Sequence, residues 1–278
     1  MVFACVFAVS AYLLIDYYIG SRREAQNYEE LSQQVDRPTR PLPGDEDFGQ
    51  DDSPLDTQVH YVTVLNSKTG EYVSVLPQYA DLFSINPDFA GWLQIPGTDI
   101  DYPVMQTPED EQYYLYRDFY SEENRNGSLI MDTDSTVGIG CEAQDYVGGT
   151  SPSTNLIIHG HNMKSGLMFG KLDLYEEEAY GKAHNIICFD SLYEKREYEL
   201  ISVFRSQVYK KSDKVFKYYQ FFQADTEEEF HTWYLNIKEM ALYDTGVTAQ
   251  FGDEFITLSC CSEHVEDGRL VVVGKRVK

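Results

Sequence analysis

Two adjacent cysteines and a nearby arginine have types and spacing that could support nucleophilic chemistry. Cys260 and Cys261 end an apolar stretch, residues 255–261. A short polar loop separates them from Arg269, which opens the next apolar stretch. If the two stretches pair as antiparallel strands, Cys261 lies beside Arg269, where a guanidinium can stabilise a thiolate. A hairpin with a buried cysteine and a surface arginine would have the same spacing, so this pattern alone leaves both interpretations open.

A pair of histidines ends another apolar stretch earlier in the chain. Residues 155–163 read NLIIHGHNM, an apolar strand that ends in His159 and His161. A cysteine nucleophile needs an acid/base partner that is near in space rather than in sequence, and a histidine at a strand end can face a cleft. A structural role is nevertheless common for a single histidine. A zinc site is a further interpretation, although no paired cysteine spacing supports it; its ligands would be His159, His161, His264 and Cys261.

Strands predominate among the elements that must position these residues. Apolar runs predict strands at 100–106, 127–132, 155–159, 186–190, 196–209, 254–260 and 269–277. A polar segment at 108–119 is predicted to be helical, and a capping box of Thr226 and Glu229 predicts the start of another helix. Because the last two strands are apolar throughout, they favour a closed or two-sided β core, a barrel, over a half-exposed sheet.

The N-terminal part of the chain differs in composition from the rest. Residues 1–20 contain a nearly continuous apolar run that can cross a bilayer. We predict an uncleaved transmembrane anchor, because no small-residue cleavage site follows it. Residues 21–60 predict a juxtamembrane helix and a Pro- and Asp-rich spacer, and residues 61–278 a catalytic domain. Arg22 and Arg23 follow the apolar run, so the positive-inside rule alone would leave that domain in the cytoplasm.

Charge and cysteine content exclude other classes of protein. The net charge is −24, from 46 acidic and 22 basic residues, which argues against nucleic acid as a partner because phosphate binding needs clustered Lys and Arg. The cysteine number is odd and two cysteines are adjacent, so they form no disulfide framework. In an exported domain an unpaired thiol is a candidate for reactivity. The cysteines are Cys5, Cys141, Cys188, Cys260 and Cys261.

Taken together, separated blocks of the sequence resemble class B sortases in their order and spacing. The blocks are NPDFAGWLQIPGTDIDYPVMQ at 86–106, GSLIMD at 127–132, NLIIHGHNMKSGLMFGKL at 155–172, and TLSCC with Arg269 and VVVGKR within 257–276. The resemblance covers roughly residues 76–278. It implies a mostly-β fold, a sortase-type closed β-barrel with a few peripheral helices, which here follows the predicted transmembrane helix.

The resemblance also implies an activity, that of a cysteine transpeptidase. Such an enzyme cuts a sorting motif near the C-terminus of an exported protein and joins the new carboxyl end to an amine of a peptidoglycan precursor or a pilin lysine. The family's nucleophile closes the TLxTC block, which is Cys261 here; its histidine follows the Gly of the GHN block, which is His161; its arginine opens the next strand, which is Arg269. No metal or organic cofactor is implied. The catalytic domain would lie outside the cytoplasm, held at the cell membrane by a single pass.

The sequence departs from the family pattern at Cys260, where the family has threonine. Neighbours in a strand point to opposite faces, so only one of the two thiols can face Arg269. The family register indicates Cys261 and leaves Cys260 as a small buried filler. Ser259 should share a face with Cys261, and the resemblance suggests that Ser259 and Tyr218 line the substrate groove. A locally bonded strand hydroxyl and a core aromatic are the respective alternatives.

Two other functions are compatible with the same residues. A thiol protease of this fold would hydrolyse its substrate instead of transferring it, and an added amine would divert the product only in a transpeptidase. A non-catalytic, membrane-tethered binding module would keep the barrel and lose a member of the catalytic set. None of the three residues is missing from this sequence.

Overall fold

A computed structural model describes residues 2–35, 60–140 and 151–278. Most of the predicted spacer, together with Cys141 and the side chain of Cys5, lies outside the described residues. The α-helices in these ranges are α1 (Val2–Gln34), α2 (Ala80–Ile85), α3 (Glu178–Ala183) and α4 (Glu227–Glu239). The strands are β1 (Val62–Leu65), β2 (Tyr72–Val75), β3 (Phe89–Gln94), β4 (Asp101–Met105), β5 (Leu129–Met131), β6 (Asn155–Gly160), β7 (Ile186–Ser191), β8 (Lys195–Gln207), β9 (Phe255–Cys261) and β10 (Gly268–Arg276).

Strands β3 to β10 close into a barrel in the order β10-β8-β7-β3-β4-β5-β6-β9. The pairs β4–β5 and β6–β9 are parallel, and the other neighbouring pairs are antiparallel. Strands β1 and β2 form a separate hairpin. Each strand predicted from an apolar run is present, and the predicted closed barrel is confirmed.

Both faces of the β9–β10 hairpin are buried, which explains its continuous apolar sequence. Val271 packs in a cluster with Phe230 and Trp233 of α4, whereas its neighbour Val272 belongs to the main core. Since successive side chains of a strand point to opposite faces, the two clusters lie on the two sides of the barrel wall. Helix α4 therefore covers one side of this wall, and the capping box predicted at its start is present.

The polar segment between β4 and β5 is not the helix that its sequence predicts. Residues 108–119 form a series of turns. The Asp118 carboxylate accepts hydrogen bonds from the backbone N–H groups of Tyr120 at 2.9 Å and Glu122 at 3.0 Å. Local side-chain bonds to the backbone compete with helical hydrogen bonding. The buried Tyr114 hydroxyl also lies 2.9 Å from the Asp88 carboxylate, so the prediction of a helix here is wrong.

The C-terminal half of α1 packs against the barrel. Tyr28, Leu31 and Val35 are buried, and the Tyr28 ring meets the ring of Tyr102 on β4 edge to face, with centroids 5.3 Å apart. Apolar burial of this kind contributes on the order of 1.5–3 kcal/mol for each large side chain. The last turns of α1 thus pack against the barrel. The division of the chain into an anchor, a juxtamembrane segment with spacer, and a catalytic domain stays a prediction.

The N-terminal half of α1 carries exposed apolar side chains. Exposed examples are Val6, Phe7, Val9, Ile15 and Ile19. Among the described residues, no helix combines the length and the apolar character that crossing a membrane requires. The membrane span at residues 1–20 stays a prediction.

A pH-dependent contact joins α1 to the β4–β5 connection. The half-buried Glu24 carboxyl has its pKa raised from 4.5 to about 7, chiefly by burial and further by the nearby Asp118 carboxylate. A folded-state pKa above the unfolded value means that the protonated form stabilises the fold. This stabilisation is complete below about pH 4.5 and is lost as the pH rises through about 7.

We therefore expect Glu24→Gln to remove part of the pH dependence of stability between pH 4.5 and 7. The thermal unfolding midpoint of the variant should fall less than that of the wild type across this range, because the amide has no charge to desolvate. Glu29→Gln, on the exposed side of α1, is the matched control and should follow the wild type. Parallel pH profiles for Glu24→Gln and the wild type would contradict this account.

Candidate active site

The β9–β10 hairpin brings Cys261 and Arg269 together. In the antiparallel register Arg269 pairs directly with Cys261, and Leu270 pairs with Cys260. The connecting turn is closed by a hydrogen bond from the Ser262 N–H to the Gly268 carbonyl. The pairing predicted from the spacing of the two apolar stretches is confirmed, and it places a guanidinium beside the last residue of β9.

The parallel pair β6–β9 brings His161 to the same place. His159 pairs with Ser259 and Gly160 with Cys260, so His161, the next residue, follows β6 at the level of Cys261. The Asn162 side chain extends this alignment beyond the strand by donating a hydrogen bond to the Cys261 carbonyl at 3.1 Å. A non-local strand pairing therefore joins the histidine block to the cysteine block.

Gly160 shows why a glycine precedes the histidine. A Cβ at this position would lie 2.5 Å from Cδ2 of Leu129 and 2.6 Å from Cδ2 of Phe169. These contacts are far closer than the van der Waals distance of about 3.5–4.0 Å between carbons. The close packing around Gly160 fixes the end of β6 and hence the place from which His161 projects.

His161 is held by the β4–β5 connection. Its Nε2 atom lies 2.8 Å from the Leu115 carbonyl oxygen, and the Tyr116 ring lies over the imidazole with centroids 5.5 Å apart. Since a carbonyl oxygen only accepts, Nε2 carries the proton in this hydrogen bond. The sequence predicts neither contact: Leu115 acts through its backbone carbonyl, for which the residue type gives no signal, and Tyr116 lies in the segment predicted to be a helix.

The two adjacent thiols differ sharply in their surroundings. Cys260 is buried and Cys261 is exposed. Burial, with a smaller contribution from Cys261, raises the pKa of the Cys260 thiol to about 12. Cys260 is therefore a neutral thiol at physiological pH, whereas Cys261 is accessible to a substrate and lies beside Arg269. This difference supports Cys261 as the nucleophile, the residue that the resemblance to sortases indicates.

A single cleft of about 990 Å³ contains all five predicted site residues: Cys261, His161, Arg269, Ser259 and Tyr218. The Arg269 Nη1 group donates hydrogen bonds to the carbonyls of Gly268 at 2.9 Å and Asp267 at 3.2 Å. Its Nε and Nη2 groups have no hydrogen-bond partner among the described residues. The arginine is thus anchored by its own turn and keeps donors available.

Ser259 and Tyr218 form the buried floor of the cleft. Their hydroxyl groups lie 2.7 Å apart, and both residues are almost fully buried. Tyr218 packs edge to face against Phe204, with centroids 5.9 Å apart, and burial raises the pKa of its hydroxyl to about 12. Both residues therefore line the cleft and also belong to the packed interior, so each of the alternatives weighed for them has a structural basis.

An acidic and histidine cluster forms one wall of the cleft. His159 Nε2 lies 3.2 Å from the Asp132 carboxylate and 3.9 Å from the Glu111 carboxylate. Burial, followed by the Asp132 charge, raises the pKa of Glu111. The ligand atoms of these three side chains lie close enough together to hold a cation. This set differs from the zinc ligands considered as an alternative from the sequence, with which it shares only His159. His264 instead hydrogen-bonds to Ser262 within the β9–β10 turn.

Known proteins are similar to this chain in both sequence and fold. It is 31% identical over 209 residues to sortase B of Listeria monocytogenes, across 73% of this chain and 75% of that protein. It is 25% identical over 278 residues to sortase B of Staphylococcus aureus, across 98% and 93% of the two proteins. The solved Staphylococcus aureus sortase B–substrate complex matches with a TM-score of 0.67 at 25% identity, over 94% of this chain and 99% of that one. No protein-family model matches the sequence.

The relative from Listeria monocytogenes is similar over 73% of the chain, and the solved sortase B structure has the same fold. These two findings agree with the resemblance seen in the separated sequence blocks. The chain therefore belongs to the class B sortases and is a cysteine transpeptidase.

Proposed function

We propose that this sortase uses Cys261, His161 and Arg269 to cleave the C-terminal sorting motif of exported proteins and to transfer the acyl group to an amine of the cell wall. One observation carries the assignment of these roles. The three side chains come from the adjacent ends of β6, β9 and β10 and line one cleft, with the Cys261 thiol exposed. Support for a peptide substrate comes from the Staphylococcus aureus relative, which is known in a complex with its substrate.

The first half-reaction forms a thioester. His161 takes the proton of the Cys261 thiol, and the resulting thiolate attacks the scissile carbonyl carbon, whose C=O electron pair moves to the oxygen. The free donors of Arg269 stabilise this oxyanion, an interaction worth roughly 3–4 kcal/mol when the donors are preorganised. The intermediate then collapses, the C–N bond breaks, and His161 gives its proton to the leaving amine.

The second half-reaction joins the acyl group to a new amine. His161, now neutral, takes a proton from the incoming amine, which attacks the thioester carbonyl and expels the Cys261 thiolate. The acceptor is the amine of a peptidoglycan precursor or a lysine of a pilin. Because the thioester keeps the acyl group activated, the cycle is complete without ATP, metal or organic cofactor.

Ser259 and Tyr218 are proposed to bind the substrate from the floor of the cleft. Their mutual hydrogen bond of 2.7 Å satisfies both hydroxyl groups in a buried place, where an unpaired hydroxyl would be costly. The pair therefore presents a rigid surface next to Cys261, on the face of β9 that Ser259 and Cys261 share.

Hydrolysis and simple binding are the competing functions. A thiol protease would use the same half-reaction with water as acceptor, so the residues of the cleft do not distinguish it from transfer. A binding module without catalysis is disfavoured, since the cleft holds the complete set of Cys261, His161 and Arg269.

The proposed location is the outer side of the cell membrane, with a single N-terminal pass. The apolar run at residues 1–20 and the exposed apolar side chains of the first half of α1 support an anchor. An exported substrate and a cell-wall acceptor require the catalytic domain outside the cytoplasm. Arg22 and Arg23 work against this orientation, so the topology needs a direct test.

Replacing each thiol separately should separate their roles. We expect Cys261→Ala to lower the rate of peptide cleavage by roughly 10⁴-fold or more, because the nucleophile is lost. Cys260→Thr should keep the wild-type rate, because threonine has a similar size in that buried position. A fluorescence-quenched sorting-motif peptide measures both rates. Activity retained in Cys261→Ala and lost in Cys260→Thr would assign the nucleophile to the other thiol.

An added amine should change the product of the wild-type enzyme. With a sorting-motif peptide and a short amine-bearing acceptor peptide, we expect the amide-linked product to replace the free acid as the acceptor concentration rises. Chromatography with mass detection follows the two products, and Cys261→Ala provides the blank. Free acid as the sole product at every acceptor concentration would identify a protease instead of a transpeptidase.

The topology predicts that the catalytic domain is accessible from outside the cell. Protease added to intact cells should degrade the domain, while a cytoplasmic marker protein in the same cells stays intact. Immunoblotting with an antibody against the domain gives the readout. A domain that is protected until the membrane is permeabilised would place it in the cytoplasm.

A further inference from the structure

The hydrogen bond to His161 assigns the two ring nitrogens to different tasks. Nε2 donates to the Leu115 carbonyl, and Nδ1 has no hydrogen-bond partner among the described residues. In a neutral imidazole only one nitrogen carries the proton. As long as the Leu115 carbonyl stays in place, Nδ1 is the nitrogen that can accept and release a proton during the reaction.

The turn that carries the Leu115 carbonyl is held in place by hydrogen bonds to its neighbouring residue, Tyr114. Its neighbour Tyr114 is buried; the Asn86 side chain donates to the Tyr114 hydroxyl at 2.7 Å, and this hydroxyl donates to the Asp88 carboxylate at 2.9 Å. The backbone N–H of Ser128 donates to the Tyr114 carbonyl at 3.1 Å. The turn that contacts His161 is thus held by residues just before β3 and by the residue just before β5.

Gly127 packs closely against the Leu115 carbonyl. It adopts a left-handed backbone conformation, with φ of +61°. A Cβ on this residue would lie 2.2 Å from the Leu115 carbonyl oxygen and 2.8 Å from its carbonyl carbon. A side chain at position 127 would therefore push the carbonyl away from its place opposite His161.

Helix α1 contacts Gly127 through a hydrogen bond. The Tyr28 hydroxyl, on a buried side chain, donates a hydrogen bond to the Gly127 carbonyl at 3.1 Å. A further contact joins the same parts of the chain, since the Arg125 guanidinium lies over the Tyr17 ring, 5.3 Å from its centroid. The contacts run without a gap from α1 through Gly127 and Leu115 to the imidazole.

We propose that Gly127 and Tyr28 are positioning residues for His161: they hold the Leu115 carbonyl against Nε2, which fixes the Nε2–H tautomer and leaves Nδ1 to exchange the proton. This inference rests on the proposed catalytic role of His161. It makes α1, which packs outside the barrel, a contributor to the reaction. No bond is made or broken in the positioning step itself.

Gly127→Ala tests the proposal, and Gly70→Ala is its matched control. Gly70 also has a positive φ, of +75°, but no atom lies within 4 Å of the position of an added Cβ. Both variants therefore bear the cost of a left-handed alanine, and only the first disturbs Leu115. We expect Gly127→Ala to lower kcat by roughly 10- to 100-fold with little change in KM, while Gly70→Ala keeps the wild-type values.

The tautomer of His161 supplies a readout that a merely structural role would not move. In protein with ¹⁵N-labelled histidine, long-range ¹H–¹⁵N spectra distinguish Nε2–H from Nδ1–H, and His161→Gln identifies the signal among the six histidines. We expect Nε2–H in the wild type and in Gly70→Ala, and a mixture of both forms in Gly127→Ala. Nδ1–H in the wild type, or an unchanged tautomer and kcat in a folded Gly127→Ala, would overturn the proposal.

Tyr28→Phe keeps the proposal testable if Gly127→Ala does not fold. This substitution removes one hydrogen bond and keeps the aromatic ring. We expect kcat to fall about fivefold, the effect of losing one hydrogen bond. Part of the His161 population should shift from Nε2–H to Nδ1–H. Tyr61→Phe is the control, because the Tyr61 hydroxyl donates to the carbonyl of Tyr193 at 2.9 Å, outside the cleft. Equal tautomer and kcat in the two tyrosine variants would overturn the role of α1.

The spectroscopic and kinetic results separate this proposal from the proposed function. A chain without transpeptidase activity whose His161 has the expected tautomer, lost in Gly127→Ala, would contradict the function and leave the positioning intact. An active transpeptidase whose His161 has the Nδ1–H tautomer would support the proposed function and contradict the positioning proposal.

Discussion

The parallel pairing of β6 with β9 is the constraint on which the site depends. These strands lie far apart in the sequence, and neither carries the whole catalytic set. Their register aligns Gly160 with Cys260, so that the residues that follow, His161 and Cys261, meet at one edge of the barrel. Closure of the barrel leaves β9 one further neighbour, β10, which brings Arg269 to the same edge. A register shift of one residue would turn the Cys261 side chain to the other face.

Burial and local partners give different properties to residues of the same type that are neighbours in the sequence. Cys260 and Cys261 are adjacent, yet only the second is exposed, and burial keeps the pKa of Cys260 near 12. His159 lies in β6, and His161 follows the end of that strand. The first faces the carboxylates of Asp132 and Glu111, and the second faces a backbone carbonyl. In each pair, the surroundings of the side chain in the fold determine which residue can take part in the reaction.

Much of this arrangement could be predicted from the sequence, and the exceptions have physical causes. The β9–β10 pairing was predictable because a short loop joins two apolar strands, and the barrel because those strands are apolar on both faces. The β6–β9 contact was not, since parallel pairing joins distant segments and leaves no local pattern; only the resemblance to sortases connected them. The helix predicted at 108–119 is wrong, because Tyr114 and Asp118 in this segment make tertiary and turn contacts instead of supporting a helix. Leu115 acts through its backbone carbonyl, so its residue type gives no signal in the sequence. The residue type that matters is glycine at position 127, because a side chain there would collide with that carbonyl.

The central claim is that the thiol at the end of β9 forms the acyl-enzyme. Intact-mass analysis of the wild-type chain after brief incubation with a panel of sorting-motif peptides, followed by peptide mapping, tests it most directly. The account predicts one acyl adduct, located on Cys261, that disappears when an amine acceptor is added. An adduct on Cys260, or a cleaved peptide without any thioester intermediate on the chain, would contradict it.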